Sequence, residues 1–307
     1  MPPPAAPLLK WAGGKRQLLP RLRGFYPERF GAYIEPFFGS GAVFFDLYAS
    51  DRLRGRRAVL IDSNADLIGC YEIVRDRPDA VADALTALAD AHARHGRAQY
   101  YAIRDERFNP LRDRLRDARG RIAYTPELAA MLIYLNRTGF NGLFRLNAQG
   151  AFNVPAGRYD RPRIANREKL ARAAEALSSD GVRLVCGSFE LTEQAASEGD
   201  FVYCDPPYAP TTATSNFTAY TAPGFGAAAQ QRLQQMVIRL AARGCQVLVS
   251  NSTADEIAAL YERNDDARAA GLRALRVPAR RAINSNAARR GAVEEFLIYN
   301  GTESTVR

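Results

Sequence analysis

The chain has 307 residues, 47% of them hydrophobic and 24% charged, with 42 Lys plus Arg against 33 Asp plus Glu. That length and apolar content support a real core, which excludes wholesale disorder and leaves one large α/β domain with an insertion, or two domains. The surplus of +9, nearly all arginine, favours a polyanionic partner.

Cys70, Cys186, Cys204 and Cys245 lie far apart without a CxxC pair, and His92 and His95 are the only histidines, so no metal site is expected. Met1 to Pro7 is too short and too uncharged for a signal peptide, and no apolar run reaches transmembrane length. The expected compartment is the cytoplasm.

Lys10-Trp11-Ala12-Gly13-Gly14-Lys15 opens the chain with a glycine pair flanked by a ring and two cations. Arg16 follows Lys15 where a phosphate loop needs Ser or Thr, so that motif is ruled out, and an incidental loop stays open as the alternative. Tyr33-Ile34-Glu35 leading into Pro36-Phe37-Phe38-Gly39-Ser40-Gly41 reads as strand, glycine turn and helix, the first unit of a Rossmann-like sheet. Arg57 to Asp62 is a second buried strand that ends on a carboxylate suited to ribose hydroxyls.

From Ala65 the texture becomes helical and charged, and Glu127 to Arg137 predicts a helix with Leu128, Met131, Leu132 and Leu135 on one face. The loop that follows is dense in Gly, Asn and aromatic residues, and its Asn141-Gly142 step predicts a β-hairpin over about 138–155. Asn141 and Arg145 are types that read base edges, while Phe140 and Leu143 suit the space left by a displaced base; a surface hairpin without a task is the alternative. Residues 65–159 are thus expected to form a helical insertion, with 1–64 and 160–307 making the α/β domain.

Asn166 is placed to cap the next helix, Val182 to Cys186 is a strand, and Phe189 falls just past its end. Phe201-Val202-Tyr203-Cys204 then runs into Asp205-Pro206-Pro207-Tyr208. The prolines lack backbone donors, so the strand must stop at Asp205 and leave its carboxylate at the carboxyl end, beside an aromatic ring. That cluster suits a planar heterocycle bearing an amino group; a plain strand exit capped by Asp205 is the alternative. Further on, Asn216 lies in a polar loop, Leu233 to Leu240 predicts a helix, Gln246 to Val249 a strand, and Phe296 to Tyr299 a final strand preceded by a basic turn with Arg280 and Arg281.

The ends at Glu35, Asp62, Phe189 and Asp205 predict one rim holding an adenosine-containing cofactor, and the lack of a phosphate motif favours a sulfonium. In this order the motifs resemble the Dam-type DNA adenine-N6 methyltransferases that recognise GATC, and the likeness runs from Leu9 to about Tyr299.

The resemblance implies an S-adenosylmethionine-dependent methyltransferase sheet with an inserted target-recognition domain. It also implies S-adenosyl-L-methionine as cofactor, S-adenosylhomocysteine as product, and double-stranded DNA as partner of a monomeric, nucleoid-associated protein.

By that resemblance Trp11, Lys15, Asp62 and Asp205 contact the cofactor; Glu35, Phe37, Gly39 and Gly41 shape its pocket; and Phe189 lies near its adenine. Lys10, Asn141, Leu143, Arg145 and Pro155 read the target. By residue type rather than resemblance, Asn216 is a further DNA-contact candidate, and Arg280 and Arg281 are candidates for phosphate contact, with a solvated cationic loop as the alternative. Phe140 stands where the family commonly has a duplex-inserting Tyr. Asp205, Pro206, Pro207 and Tyr208 are the expected catalytic group. Enzymes with longer sites from restriction-modification systems, and a DNA-binding module with an inactive pocket, are the alternatives.

Overall fold

The computed structural model describes residues 4–11, 13, 15–210, 225–280 and 292–301. The chain forms two compact units, one of residues 15–38, 55–63 and 187–307, the other of residues 1–14, 39–54 and 64–186. Among the described residues no helix is long and apolar enough to cross a membrane.

The strands are β1 (Tyr33–Pro36), β2 (Ala58–Asp62), β3 (Val182–Cys186), β4 (Phe201–Cys204), β5 (Gln246–Ser252), β6 (Arg273–Arg280) and β7 (Ala292–Tyr299). In the first, sheet-bearing unit six of these strands pair side by side in the order β2-β1-β4-β5-β7-β6. β1 runs parallel to β2 and to β4, and β4 parallel to β5, so their carboxyl ends share one edge. The chain crosses one way from β1 to β2 and the other way from β4 to β5, which makes the gap between β1 and β4 a topological switch point. Open α/β sheets bind ligands there because the outgoing loops diverge and leave a crevice. β1 and β4 are buried at every position, as parallel strands covered on both faces require.

β7 is antiparallel to β5, and β6 pairs with β7 at the edge. β6 does not show in the sequence pattern, because Arg273, Arg276 and Pro278 interrupt its apolar residues. An edge strand tolerates all of them, since one side of its backbone needs no partner. Arg280, expected in a basic turn, is instead the last residue of β6, and Arg281 lies outside the described residues.

The other unit is mostly helical. The helix Pro126–Thr138 is buried on nearly every side, from Leu128 to Leu135, which identifies it as the central element. Thr125 caps it by accepting the Leu128 N–H, and Pro126 occupies its first turn, where no backbone donor is missed. Ala65–Asp76, Pro78–Tyr101 and Arg167–Leu177 are the longer helices of this unit, the last capped by Asn166 as expected, through the Lys169 N–H at 2.8 Å.

A buried ion pair ties two of its elements together. Arg112 and Asp66 meet in a bidentate pair at 2.6 and 2.7 Å, with only 2% and 4% of their side chains exposed. Tyr124 donates to the same carboxylate at 2.9 Å. Such a pair repays its desolvation only when its remaining hydrogen-bonding capacity is satisfied, and here it is.

The expected hairpin is present in an open form. A 3-10 turn, Phe140–Gly142, lies between isolated antiparallel pairings of Gly139 with Ala156 and Leu146 with Phe152. Asn141 and Gly142 both take positive φ, of 54° and 64°, which bends the first arm out of extended geometry. At Gly142 a Cβ would meet the Lys10 Cβ at 2.5 Å, so glycine is required for contact as well as for φ.

Candidate active site

In the sheet-bearing unit the carboxyl ends of β1, β2 and β4 bring several predicted residues to one rim. Phe37 directly follows β1, with φ of 65°, an uncommon conformation for a bulky residue. Its ring stacks on Phe189 at 5.3 Å, and Phe225 closes edge-on against both at 5.3 and 5.7 Å. Asp62 ends β2, and its carbonyl accepts the Gly187 N–H at 2.9 Å, anchoring the loop that carries Phe189. Glu35, 2% exposed, accepts a hydrogen bond from the Tyr33 hydroxyl at 2.8 Å.

Asp205 leaves β4 on the same edge. Its Oδ1 lies 2.7 Å from the Lys15 Nζ, and the Lys15 ammonium also stands 4.5 Å above the Tyr208 ring. Burial drives the Asp205 carboxyl up to about 6; Lys15 opposes this, and the negative charge of Glu295 adds to it. Above that pH the group is a carboxylate, a strong acceptor in a poorly solvated place. The Tyr208 hydroxyl donates to Glu295 Oε2 at 2.8 Å; burial, then the neighbouring Asp205 and Glu295 charges, keep the phenol protonated.

The loop backbone is held as well. Gln230 donates to the Pro207 carbonyl at 2.9 Å, Asn251 orients Gln230 at 3.0 Å, and Ser252 donates to the Ala209 carbonyl at 2.7 Å. Glu295, Gln230, Asn251 and Ser252 were not singled out from the sequence. The signal was faint: buried polar residues on β5, and an acidic pair, Glu294-Glu295, in an otherwise apolar strand.

The predicted DNA-facing residues that are described lie mainly in the helical unit. Asn136, buried, accepts the Lys10 N–H and donates to the carbonyls of Lys10 and Gly142, each at 2.8 Å, and so brings Lys10 to the Asn141-Gly142 turn. Phe140 is 45% exposed, and its N–H bonds the Pro155 carbonyl at 2.9 Å. Asn141, Arg145 and Pro155 are exposed, whereas Leu143 packs inward at 6% exposure and offers a duplex little surface. Trp11 stacks on Phe144 at 5.8 Å and lies against Gly39, where a Cβ would meet its Cδ1 at 3.0 Å. Gly41, with φ of 70°, leads into the helix Ala42–Ala49. Asn216 lies outside the described residues.

Comparison with known proteins decides the family. The pattern of the D12 class of N6 adenine-specific DNA methyltransferases matches residues 11–282. The chain belongs to that class. Among curated relatives, the type II methyltransferase M1.LlaDCHI of Lactococcus lactis subsp. cremoris is 36% identical over 294 residues, covering 96% of this chain and 95% of its own. The DNA adenine methylase of Escherichia coli K12 is 36% identical over 289 residues, 94% of this chain and 93% of its own. The DNA adenine methylase of Serratia marcescens is 38% identical over 301 residues, 94% of this chain and 96% of its own.

The methyltransferase therefore acts on adenine N6 in DNA and takes S-adenosyl-L-methionine as cofactor. The rim of the sheet fits that cofactor. Phe37, Phe189 and Phe225 form an aromatic cluster of the kind that packs on an adenine, Asp62 suits a ribose diol, and the strand ends supply carboxylates near which a sulfonium is electrostatically favoured.

Proposed function

We propose that the methyltransferase modifies an adenine turned out of duplex DNA, within the sequence GATC, and that Asp205 and Tyr208 hold the base for transfer. The observation that supports this most directly is the Lys15–Asp205 pair beside the Tyr208 ring: a half-buried carboxylate, an aromatic face and a cation gathered at the end of β4. An adenine stacked on Tyr208 would place its amino group within reach of Asp205 and the Pro206 carbonyl, both acceptors.

Hydrogen bonds from the amino group to those oxygens draw its lone pair out of conjugation with the ring, which makes the nitrogen nucleophilic. The cofactor, when bound, supplies a methyl group already activated by its sulfonium, so Asp205 needs only to orient and polarise. Turning the base out costs a few kcal/mol, which an aromatic face and two acceptors can offset. In this reading Lys15, Glu35, Phe37, Asp62 and Phe189 serve the cofactor; Trp11, Gly39 and Gly41 are assigned to it on the sequence resemblance alone.

Residues 65–159 are assigned as the target-recognition domain, and residues 1–64 with 160–307 as the catalytic domain. Lys10, Asn141, Arg145 and Pro155 read base edges, Leu143 supports the turn, and the exposed Phe140 ring fills the gap left by the adenine. Loss of the phenol usual at that position removes a hydrogen bond but keeps the wedge. Asn216, Arg280 and Arg281 complete the assigned DNA contacts.

The test is to methylate a plasmid in vitro and digest it with GATC-specific nucleases of opposite methylation preference. Protection from one and sensitisation to the other is expected. Incorporation of methyl groups with an unchanged cleavage pattern would show a different, or longer, site.

A further inference from the structure

The return arm of the hairpin is anchored by its buried Phe152 and Val154 side chains and by a series of hydrogen bonds to its backbone. The Tyr100 hydroxyl and Arg104 guanidinium both donate to the Val154 carbonyl, at 2.8 and 3.0 Å. Asn109 brackets Phe152, donating to its carbonyl at 3.0 Å and accepting its N–H at 2.8 Å. Arg112, besides pairing with Asp66, donates to the Gly150 carbonyl at 2.7 Å. Residues 152 and 154 are alternate positions of the arm and so share a face, and Gly150, with φ of 79°, lies in the turn that leads into it. The anchoring residues descend the helical path in the same order.

That order depends on an irregularity. Between the helices Pro78–Tyr101 and Asn109–Arg114 the chain makes a π-helical stretch, Ala102–Phe108. In an α-helix, residues five apart point about 140° away from each other. The wider π turn brings such residues back to one side, so Arg104 and Asn109, five apart, can both reach the arm. The opposite face of the arm presents Asn153. Its Oδ1 accepts from the Arg145 Nε at 2.7 Å, and its N–H donates to the Arg145 carbonyl at 3.1 Å. Arg145 is thereby fixed, through Asn153, by the ladder behind it.

We infer that the π-helical stretch and its side-chain ladder set the register of the reading arm, with Asn109 and Asn153 as positioning residues for sequence specificity. This rests on the reading that Arg145 contacts a base. The ladder grips carbonyls and an N–H, which every sequence of the arm retains, so the reading side chains are left free to differ. A slip of one side-chain period would carry Arg145 about 6.6 Å along the arm, enough to lose any base contact.

The test maps the methylated motif, whatever it is, by sequencing plasmid DNA from a methylation-deficient host that expresses wild type, Arg145→Ala, Asn109→Ala or Asn153→Ala. Purified proteins then give kcat/KM on the mapped site and on duplexes altered at one base pair. Asn109→Ala and Asn153→Ala are expected to relax the same base pair as Arg145→Ala, with discrimination reduced about tenfold, and to add nothing further when combined with it.

A merely structural role would lower thermal stability, or kcat on every duplex alike, and leave that ratio intact. A relaxed motif in Arg145→Ala beside a sharp one in Asn153→Ala and Asn109→Ala would overturn the inference alone. An unchanged motif in Arg145→Ala would overturn the base contact and the inference with it. Asn153 is on the outer face of the arm, so its variant reads the link even if Asn109→Ala fails to fold.

Discussion

The segment Asp205–Pro210 that follows β4 and the hairpin arm after the helix Pro126–Thr138 are both glycine- or proline-marked, yet each is held differently. The first is gripped at its side chains: Lys15 pairs with Asp205, and Glu295 accepts from Tyr208, with a carbonyl clamp from Gln230. The second is gripped at its backbone by Tyr100, Arg104, Asn109 and Arg112, while Asn141 and Arg145 stay exposed. Chemistry on one invariant group needs fixed charges in a poorly solvated place. Reading a sequence, in the function proposed above, needs a fixed frame that leaves its tips exposed.

The contrast is broken most severely at Asp205. Asp205→Ala is expected to reduce methyl transfer by about 10²–10³-fold or more, measured by incorporation of labelled methyl groups. Retained DNA binding in a gel-shift assay would separate this from unfolding, and normal turnover would remove Asp205 from its assigned role.

On the other side of the comparison, Arg112→Met leaves the Asp66 carboxylate buried without its partner. A loss of roughly 3–5 kcal/mol is expected in denaturant unfolding, as for other broken buried pairs. A loss below about 1 kcal/mol would mean that the pair is solvated or dispensable.

Arg145→Ala should leave stability intact and reduce discrimination at one base pair by about 1–3 kcal/mol, read as the ratio of kcat/KM between the preferred duplex and its single-base variants. Equal loss on all duplexes would instead mark Arg145 as a phosphate contact.

The smallest effects carry a sign. The Asp205 carboxyl titrates near 6 in the folded protein, above the usual carboxylate range, so transfer should decline as pH falls through about 6. Lys15→Met removes the charge that lowers this pKa and should move the decline to higher pH. Glu295→Gln removes a charge that raises it and should move the decline to lower pH. The two pH profiles of kcat/KM shifting the same way would refute the electrostatic account of the loop. Linkage has the same origin: a carboxyl raised on folding stabilises below its unfolded pKa, and that contribution is lost as pH rises through about 6.

Most of the sheet was legible in the chain itself. Strands covered on both faces are short apolar runs, and their carboxyl ends are punctuated by Glu35-Pro36, Asp62 and Asp205-Pro206, so β1, β2 and β4 and the residues on their shared edge could be read directly. The hydrophobic periodicity of Pro126–Thr138 was equally plain. β6 was not, because an edge strand need not be apolar.

What the chain alone could not reveal is which polar groups meet across long separations. Lys15 and Asp205, Tyr208 and Glu295, Asp66 and Arg112, and Asn109 and Phe152 are brought together only by tertiary packing. Hydrophobic patterning is local, since it repeats with the period of the element that buries it. Hydrogen bonds and ion pairs have no period, and their partners are chosen by the fold.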